Sequence, residues 1–197
     1  LDNTCIRRVD ALTGKIDLVA GLPNAVGPPS GDVGAARHAH IPSANSIAID
    51  NRGNLFLNQR SYHTIRWIDA ATGNIHRYAG TGQPGNGGDG GSALQATLTE
   101  PTGLAVDAAG NLYFGSGNAV RRVDAASRTI STVAVLSSSV EALDVRDDGW
   151  LAVAVTYEHR IVEISPSGAV TALAGTGAEG FQGDGGPAAA AQLAGPI

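Results

Sequence analysis

The sequence predicts an all-β fold of the β-propeller class, built from four-stranded antiparallel blades, and three observations lead there. A set of short apolar runs recurs every 40 to 60 residues or so, the signature of arrays and propellers rather than of a single-core domain. Inside each copy apolar residues alternate with small or polar ones, as in Leu104, Val106, Leu112 and Phe114, which is the period of a strand with one buried face. Between the runs stand turn residues, with Asp50 to Asn54 and Asp107 to Asn111 each placing a carboxylate before a glycine and an asparagine.

The copy best preserved in full runs from Pro101 to Ala134. Leu104 to Val106 reads as the innermost strand, Leu112 to Phe114 as the second, Val120 to Val123 as the third and Thr129 to Ala134 as the outer one. The turn joining the first two strands is expected to use Asp107 as backbone acceptor, Gly110 at positive φ and Asn111 as the exit residue. Asp50, Gly53 and Asn54 take the same places in the preceding copy, and Gly149 does so in the last, where Arg146 and Trp150 replace the flanking residues. Ile6 to Val9 and Ile16 to Val19 read as a third and an outer strand with no inner pair before them. The blade division expected is therefore 1–41 partial blade, 42–100 blade, 101–139 blade, and 140–197 blade with the start of the next. That is about three and a half blades, and propellers have four to eight.

Glycine-rich segments join the copies. Gly175 to Ala188, with Gly183-Asp184-Gly185-Gly186 inside it, is repeated as Gly80 to Leu98 with Gly88-Asp89-Gly90-Gly91, and in altered form as Gly31 to Ile41; the third copy substitutes Leu136 to Ser139. Taken with the Pro-x-Gly strand start, the Asp-x-x-Gly-Asn turn and the Ile-Arg-x-Ile/Val-Asp strand, in that order, the chain resembles the NHL-repeat β-propellers of the bacterial type with Gly-Asp-Gly-Gly inter-blade segments. The resemblance implies a six-bladed propeller of which this chain supplies part, the rest of the same propeller as its first partner, and an extracytoplasmic or secreted setting.

Composition narrows function. The chain holds 27 glycines and 9 prolines, enough to supply a turn-rich β fold, and its formal net charge is −5. That acidic balance, with only two Trp, four Tyr and three Phe, argues against a nucleic-acid surface. No apolar run reaches the roughly 20 residues of a membrane-spanning helix, so no membrane insertion is expected. Arg7, Arg66 and Arg121 recur with the repeat, and the expectation is that they sit on exposed strand faces beside Asp10, Asp69 and Asp124.

Candidate chemistry is sparse. His38 and His40 would lie on one face of an extended segment, with Asp32 the nearest further ligand, and Glu141 stands at an inner-strand start; these are the metal candidates. Lacking convergent partners, they are expected to hold no metal, and no cofactor motif is present. Asp89 and Asp184 lie in glycine-rich loops without the acid ladder of a calcium site. They are expected to be structural, with Asp184 near the N-terminus of a short helical turn whose first turn contains Pro187. Cys5 is the only cysteine and reads as a small apolar strand residue. No serine stands in a nucleophile setting, and Asp147-Asp148 reads as a hairpin turn.

The function expected is a non-catalytic scaffold presenting propeller loops to a protein or glycan ligand, within a larger bacterial envelope or secreted protein. The alternative is a propeller lyase or hydrolase with a metal in the central channel. That alternative needs His, Asp or Glu side chains converging at the inner-strand starts, where the sequence has Asn45-Ser46, Thr102-Gly103 and Glu141-Ala142.

Overall fold

The computed structural model describes residues 5–197. The described residues form 15 strands in four antiparallel sheets, joined by turns and five single-turn 3₁₀ helices. The partial first blade is the hairpin β1 (Ile6–Val9) and β2 (Ile16–Ala20). The second blade runs β4 (Ile47–Ile49), β5 (Leu55–Gln59), β6 (Thr64–Ile68) and β7 (Asn74–Ala79) from inside to outside. The third is β8 (Thr102–Val106), β9 (Leu112–Ser116), β10 (Ala119–Val123) and β11 (Ile130–Val135), and the fourth β12 (Ala142–Val145), β13 (Leu151–Val155), β14 (Arg160–Ile164) and β15 (Val170–Ala174). The inner strands β4, β8 and β12 contact one another in succession, so the blades stand side by side around one axis.

One strand went unread in the sequence. β3 (Gly34–Ala35) is a two-residue strand from the first inter-blade segment that pairs with β7, Gly34 opposite Ile75 and Ala35 opposite Asn74, and gives the second blade a fifth strand. A glycine and an alanine, both poor β formers, carry no periodic signal at that length.

The strands hold because each turn closes on its own side chains. Asp107 accepts the Asn111 N–H at 2.8 Å and the Asn111 side-chain amide at 2.7 Å on its two oxygens, while the Asn111 Oδ1 accepts the Ala125 N–H at 3.0 Å from the turn between the outer strands. Asp50, Asn54 and Ala70 repeat the arrangement at 2.8, 2.8 and 3.0 Å. Gly110 lies at φ +87, the left-handed region the turn requires. At 146 and 150 the fourth blade has Arg and Trp instead, and its turn is tied by Arg146 to Asp148 at 2.6 Å and Glu163 at 3.1 Å.

Apolar side chains fill the spaces between blades rather than one central core. One cluster joins the second and third blades through Phe56, Ile65, Tyr78, Leu98, Phe114 and Ile130; another joins the third and fourth through Tyr113, Val120, Val140, Val153 and Val162. A third, around Ile41, Leu57 and Ile75, sits under the first inter-blade segment.

Candidate functional site

The recurring arginines are not where the sequence placed them. Arg66 and Arg121 are among the most buried side chains of the molecule, at 1% and 0% exposure, and their partners are the inter-blade aspartates rather than Asp69 and Asp124. Arg66 donates to Asp32 at 2.9 Å and to the carbonyls of His40 and Ser30 at 2.9 and 3.0 Å. Arg121 donates to Asp89 at 2.6 Å and to the Gly87 carbonyl at 3.4 Å. Asp69 and Asp124 serve their own turns, accepting the N–H groups of Ala71 and Ala126. The physical reason is depth: the third strand is covered by the glycine-rich segment, so a guanidinium there is desolvated and requires the one carboxylate that segment brings over it. Arg7, on the uncovered hairpin, is exposed.

Asp89 is thus an ion-pair residue as well as a loop residue. Burial raises its carboxyl, but the Thr132 hydroxyl and N–H and the Arg121 guanidinium outweigh burial and hold it below the ordinary carboxylate range. Asp184 is exposed and does not cap the 3₁₀ turn Ala188–Ala190, whose N-cap is Pro187 with no side-chain bond; the loop closes instead through the Gly186 N–H on the Gly183 carbonyl at 3.0 Å.

His40 is buried with Nδ1 3.0 Å from the Pro28 carbonyl, His38 is exposed, and Glu141 accepts from Arg60 at 3.3 Å, so the three are not brought together. Among the described residues no three His, Cys, Asp or Glu side chains are grouped to hold a metal ion. The inner-strand starts are occupied with holding strands: the Asn58 amide donates to the Asn45 side chain at 2.6 Å, Ser46 accepts the Leu104 N–H at 3.1 Å, and Thr102 donates to the Val140 carbonyl. Cys5 is only partly buried.

The feature that stands apart is a groove of about 620 Å³ at the turn ends of the second and third blades. Its floor is aromatic: Phe56 meets Tyr78 edge-on at 4.9 Å between ring centroids, and Trp67 lies 6.4 Å from Tyr78. Over the rings sits the Arg128 guanidinium, 4.4 Å from the Tyr78 centroid and 5.3 Å from that of Trp67. Burial raises the Tyr78 hydroxyl pKa, and Arg128 partly offsets it. Arg52, Arg122, Asp50 and Asp124 complete the charged rim, and the Asn51 amide crosses it to the Ala108 carbonyl at 3.3 Å.

Three of these residues depart from the repeat. Position 128 belongs to glycine in the other copies, Gly14, Gly73 and Gly168, all at positive φ; Arg128 keeps the conformation at φ +58. A side chain there carries a strain of about 1 to 2 kcal/mol, tolerated because of what the side chain does. Trp67 stands where the first and third copies have Arg8 and Arg122, and Tyr78 where they have Val19 and Val133. The signal was present in the sequence as three exceptions to a pattern. What it lacked was the knowledge that the three meet.

Side-by-side four-stranded blades with apolar junctions define a β-propeller. The match to known families agrees: residues 80–142 match the family described as the teneurin NHL domain. Mouse teneurin-4 is 35% identical over 102 residues, 45% of this chain and 4% of that protein, so the chain spans a small part of the curated relatives it matches. Among solved structures, an auxiliary nutrient binding protein from Bacteroides ovatus superposes over 98% of this chain and 42% of its own with a TM-score of 0.64 at 15% identity. Virginiamycin B lyase from Staphylococcus aureus does so over 86% and 48% with a TM-score of 0.56 at 18% identity. Over residues 80–142 the chain is similar to the NHL domain of teneurins, and the structural likenesses, at such low identity, speak to the fold alone.

Proposed function

We propose that this chain is a non-catalytic binding scaffold that presents the groove between its second and third blades, with the flanking loops, to a protein or glycan ligand. The observation that carries this reading is the convergence of Trp67, Tyr78 and Arg128, the departures from the repeat, on one accessible groove. A scaffold residue repeats because every blade needs it, and the meeting of three departures from the repeat at one open groove supports a role beyond the blade itself. Aromatic rings and arginine are also the side chains that dominate binding surfaces.

Under this proposal the blades divide at 1–41, 42–100, 101–139 and 140–197, and the remaining blades of the same propeller cover the apolar residues exposed on the outer strands, Val9 and Ile16 at one end and Val170 and Leu173 at the other. A place in a bacterial envelope or secreted protein is part of the same proposal and rests on family resemblance.

The test is an immobilised glycan and extracellular-protein panel probed with the parent chain and with the Trp67→Ala and Arg128→Gly variants, followed by calorimetry on each hit. A ligand bound by the parent and lost by both variants is the expected result. Ligands bound equally by all three proteins, or chemically converted by the chain, would overturn the reading.

A further inference from the structure

We infer that the ligand of this groove is an acidic saccharide, its sugar ring packed beside Arg128 against the edge of the aromatic floor at Trp67 and its carboxylate or sulfate held by Arg128 and Arg52. The inference rests on the binding reading of the same groove and names the chemistry of what fills it.

Charge is the first argument. The chain as a whole carries a formal charge of −5, yet the groove sets three arginines against two aspartates. Both aspartates are committed inward. Asp50 accepts the N–H groups of Arg52 and Asn54 and the Asn54 amide, and Asp124 accepts from Ala126, Ser127 and Arg122. Arg122 is satisfied by Asp124 at 3.0 Å. Arg52 and Arg128 form no ion pair among the described residues and are both exposed, so the groove offers two guanidinium groups without a carboxylate partner, that of Arg128 bonded to the Tyr78 hydroxyl and stacked on the rings, and no free carboxylate. Guanidinium forks match the planar carboxylate and the sulfate group by paired, charge-assisted hydrogen bonds.

Shape and surface give the second argument. A volume of about 620 Å³ falls in the range of small-molecule sites, and the floor is a partly buried indole beside a buried phenol. The flat apolar face of a sugar ring suits such a floor, and its hydroxyls suit a rim of guanidinium and amide donors. A peptide is served less well. The groove is walled by tight turns whose backbone groups bond within the turns, Asp50 with Asn54 and Asp107 with Asn111, and no strand edge faces it for an extended chain to join.

Arg128 supplies the third. The turn closes as well with glycine, which the other copies use, so the arginine is not needed to make the turn. Its guanidinium rests on the faces of Trp67 and Tyr78 and is thereby poised at the mouth of the aromatic floor, ordered before a ligand arrives.

The experiment uses the full chain with Trp150→Phe, which leaves Trp67 as the single tryptophan, and follows its fluorescence on titration with trigalacturonate, a chondroitin-type sulfated disaccharide, neutral cellotriose and hexaglutamate. One or both acidic saccharides should bind at least about tenfold more tightly than cellotriose and hexaglutamate, and Arg128→Gly should lose about tenfold, the scale of a charge-assisted hydrogen-bond pair, without lowering the unfolding midpoint. A preference for trigalacturonate assigns the carboxylate and a preference for the disaccharide the sulfate. Equal binding of cellotriose, tighter binding of hexaglutamate, or indifference to Arg128→Gly overturns the inference. If none of the four probes binds while a protein partner does so in a Trp67-dependent way, the saccharide inference fails and the scaffold reading stands; partners indifferent to both Trp67 and Arg128 remove both.

Discussion

The junction between the second and third blades and the junction between the third and fourth solve one packing problem with opposite chemistry. At the first, the long glycine-rich segment carries Asp89 over the third strand, and the strand answers with a fully buried Arg121. At the second, the link is the short run Leu136 to Ser139, which has no carboxylate, and the residue in register with Arg121 is Val162, part of an apolar cluster with Val120 and Val140. The turn ends differ in the same sense. Arg128 reaches Trp67 and Tyr78 at one junction, while at the other its counterpart Gly168 lies so close that a Cβ would stand 2.7 Å from the Val133 carbonyl oxygen. The lesson is that a buried guanidinium and the loop that neutralises it are acquired or lost together, and that the charged junction holds the larger groove, about 620 Å³ against about 290 Å³ at the apolar one.

Asp89→Ala should produce the largest effect, because it strands the Arg121 charge at 0% exposure. The expected loss is about 3 kcal/mol in a urea melt. Arg121→Val in the same chain copies the apolar junction and should restore at least half of that loss; a double variant no more stable than Asp89→Ala alone would break the pairing argument.

Exchanging the two turn residues comes next. Gly168→Arg should destabilise by about 2 kcal/mol through the clash with Val133 together with left-handed strain. Arg128→Gly should stay within about 1 kcal/mol of the parent, since released strain and the lost cation–π contact oppose each other. Equal melts for the two exchanges would mean that the junctions do not differ in clearance.

Gly110→Ala is expected to lower stability by about 1 kcal/mol, read from the shift of the denaturation midpoint, because alanine must take φ +87. Gly90, at φ +77, carries the same backbone demand, and Gly90→Ala should cost a comparable amount. A neutral Gly110→Ala would detach the turn from the stability of its blade.

The smallest effect is on pH. The Asp89 carboxyl is held below its unfolded value, so its contribution is present above the unfolded carboxylate pKa of about 3.9 and is lost as pH falls through the lower folded value. With the Asp89 side chain half exposed, solvent screening keeps this below about 1 kcal/mol. Melts between pH 5 and pH 3 should therefore be shallower in the Asp89→Ala, Arg121→Val chain than in the parent, and identical slopes would remove Asp89 from the acid response.

Strands and turns were legible because their causes are local. Alternation at Leu104, Val106, Leu112 and Phe114 needs only neighbouring residues, and so does a turn in which Asp107 binds Asn111 four positions on. The arginine partners were misread for a related reason. Asp69 and Asp124 are close in sequence to Arg66 and Arg121, while the true partners lie 34 and 32 residues earlier and reach them only after the inter-blade segment folds over the strand. The groove was half legible. Arg128 among glycines, Trp67 among arginines and Tyr78 among valines are visible exceptions, but they come from two strands of the second blade and a turn of the third.

By itself the sequence determined the blade: its period of two, its turn residues, its positive-φ glycines and its repetition, all set by steric and hydrogen-bonding preferences acting over a few residues. Tertiary structure alone decided which carboxylate neutralises which buried guanidinium, that Asp89 meets Arg121 while Asp184 has no ion pair among the described residues, and that Trp67, Tyr78 and Arg128 share one groove. The physical reason is that a propeller buries its faces between blades, so the desolvation that selects a charge partner, and the clearance that leaves a groove open, arise only when two blades meet.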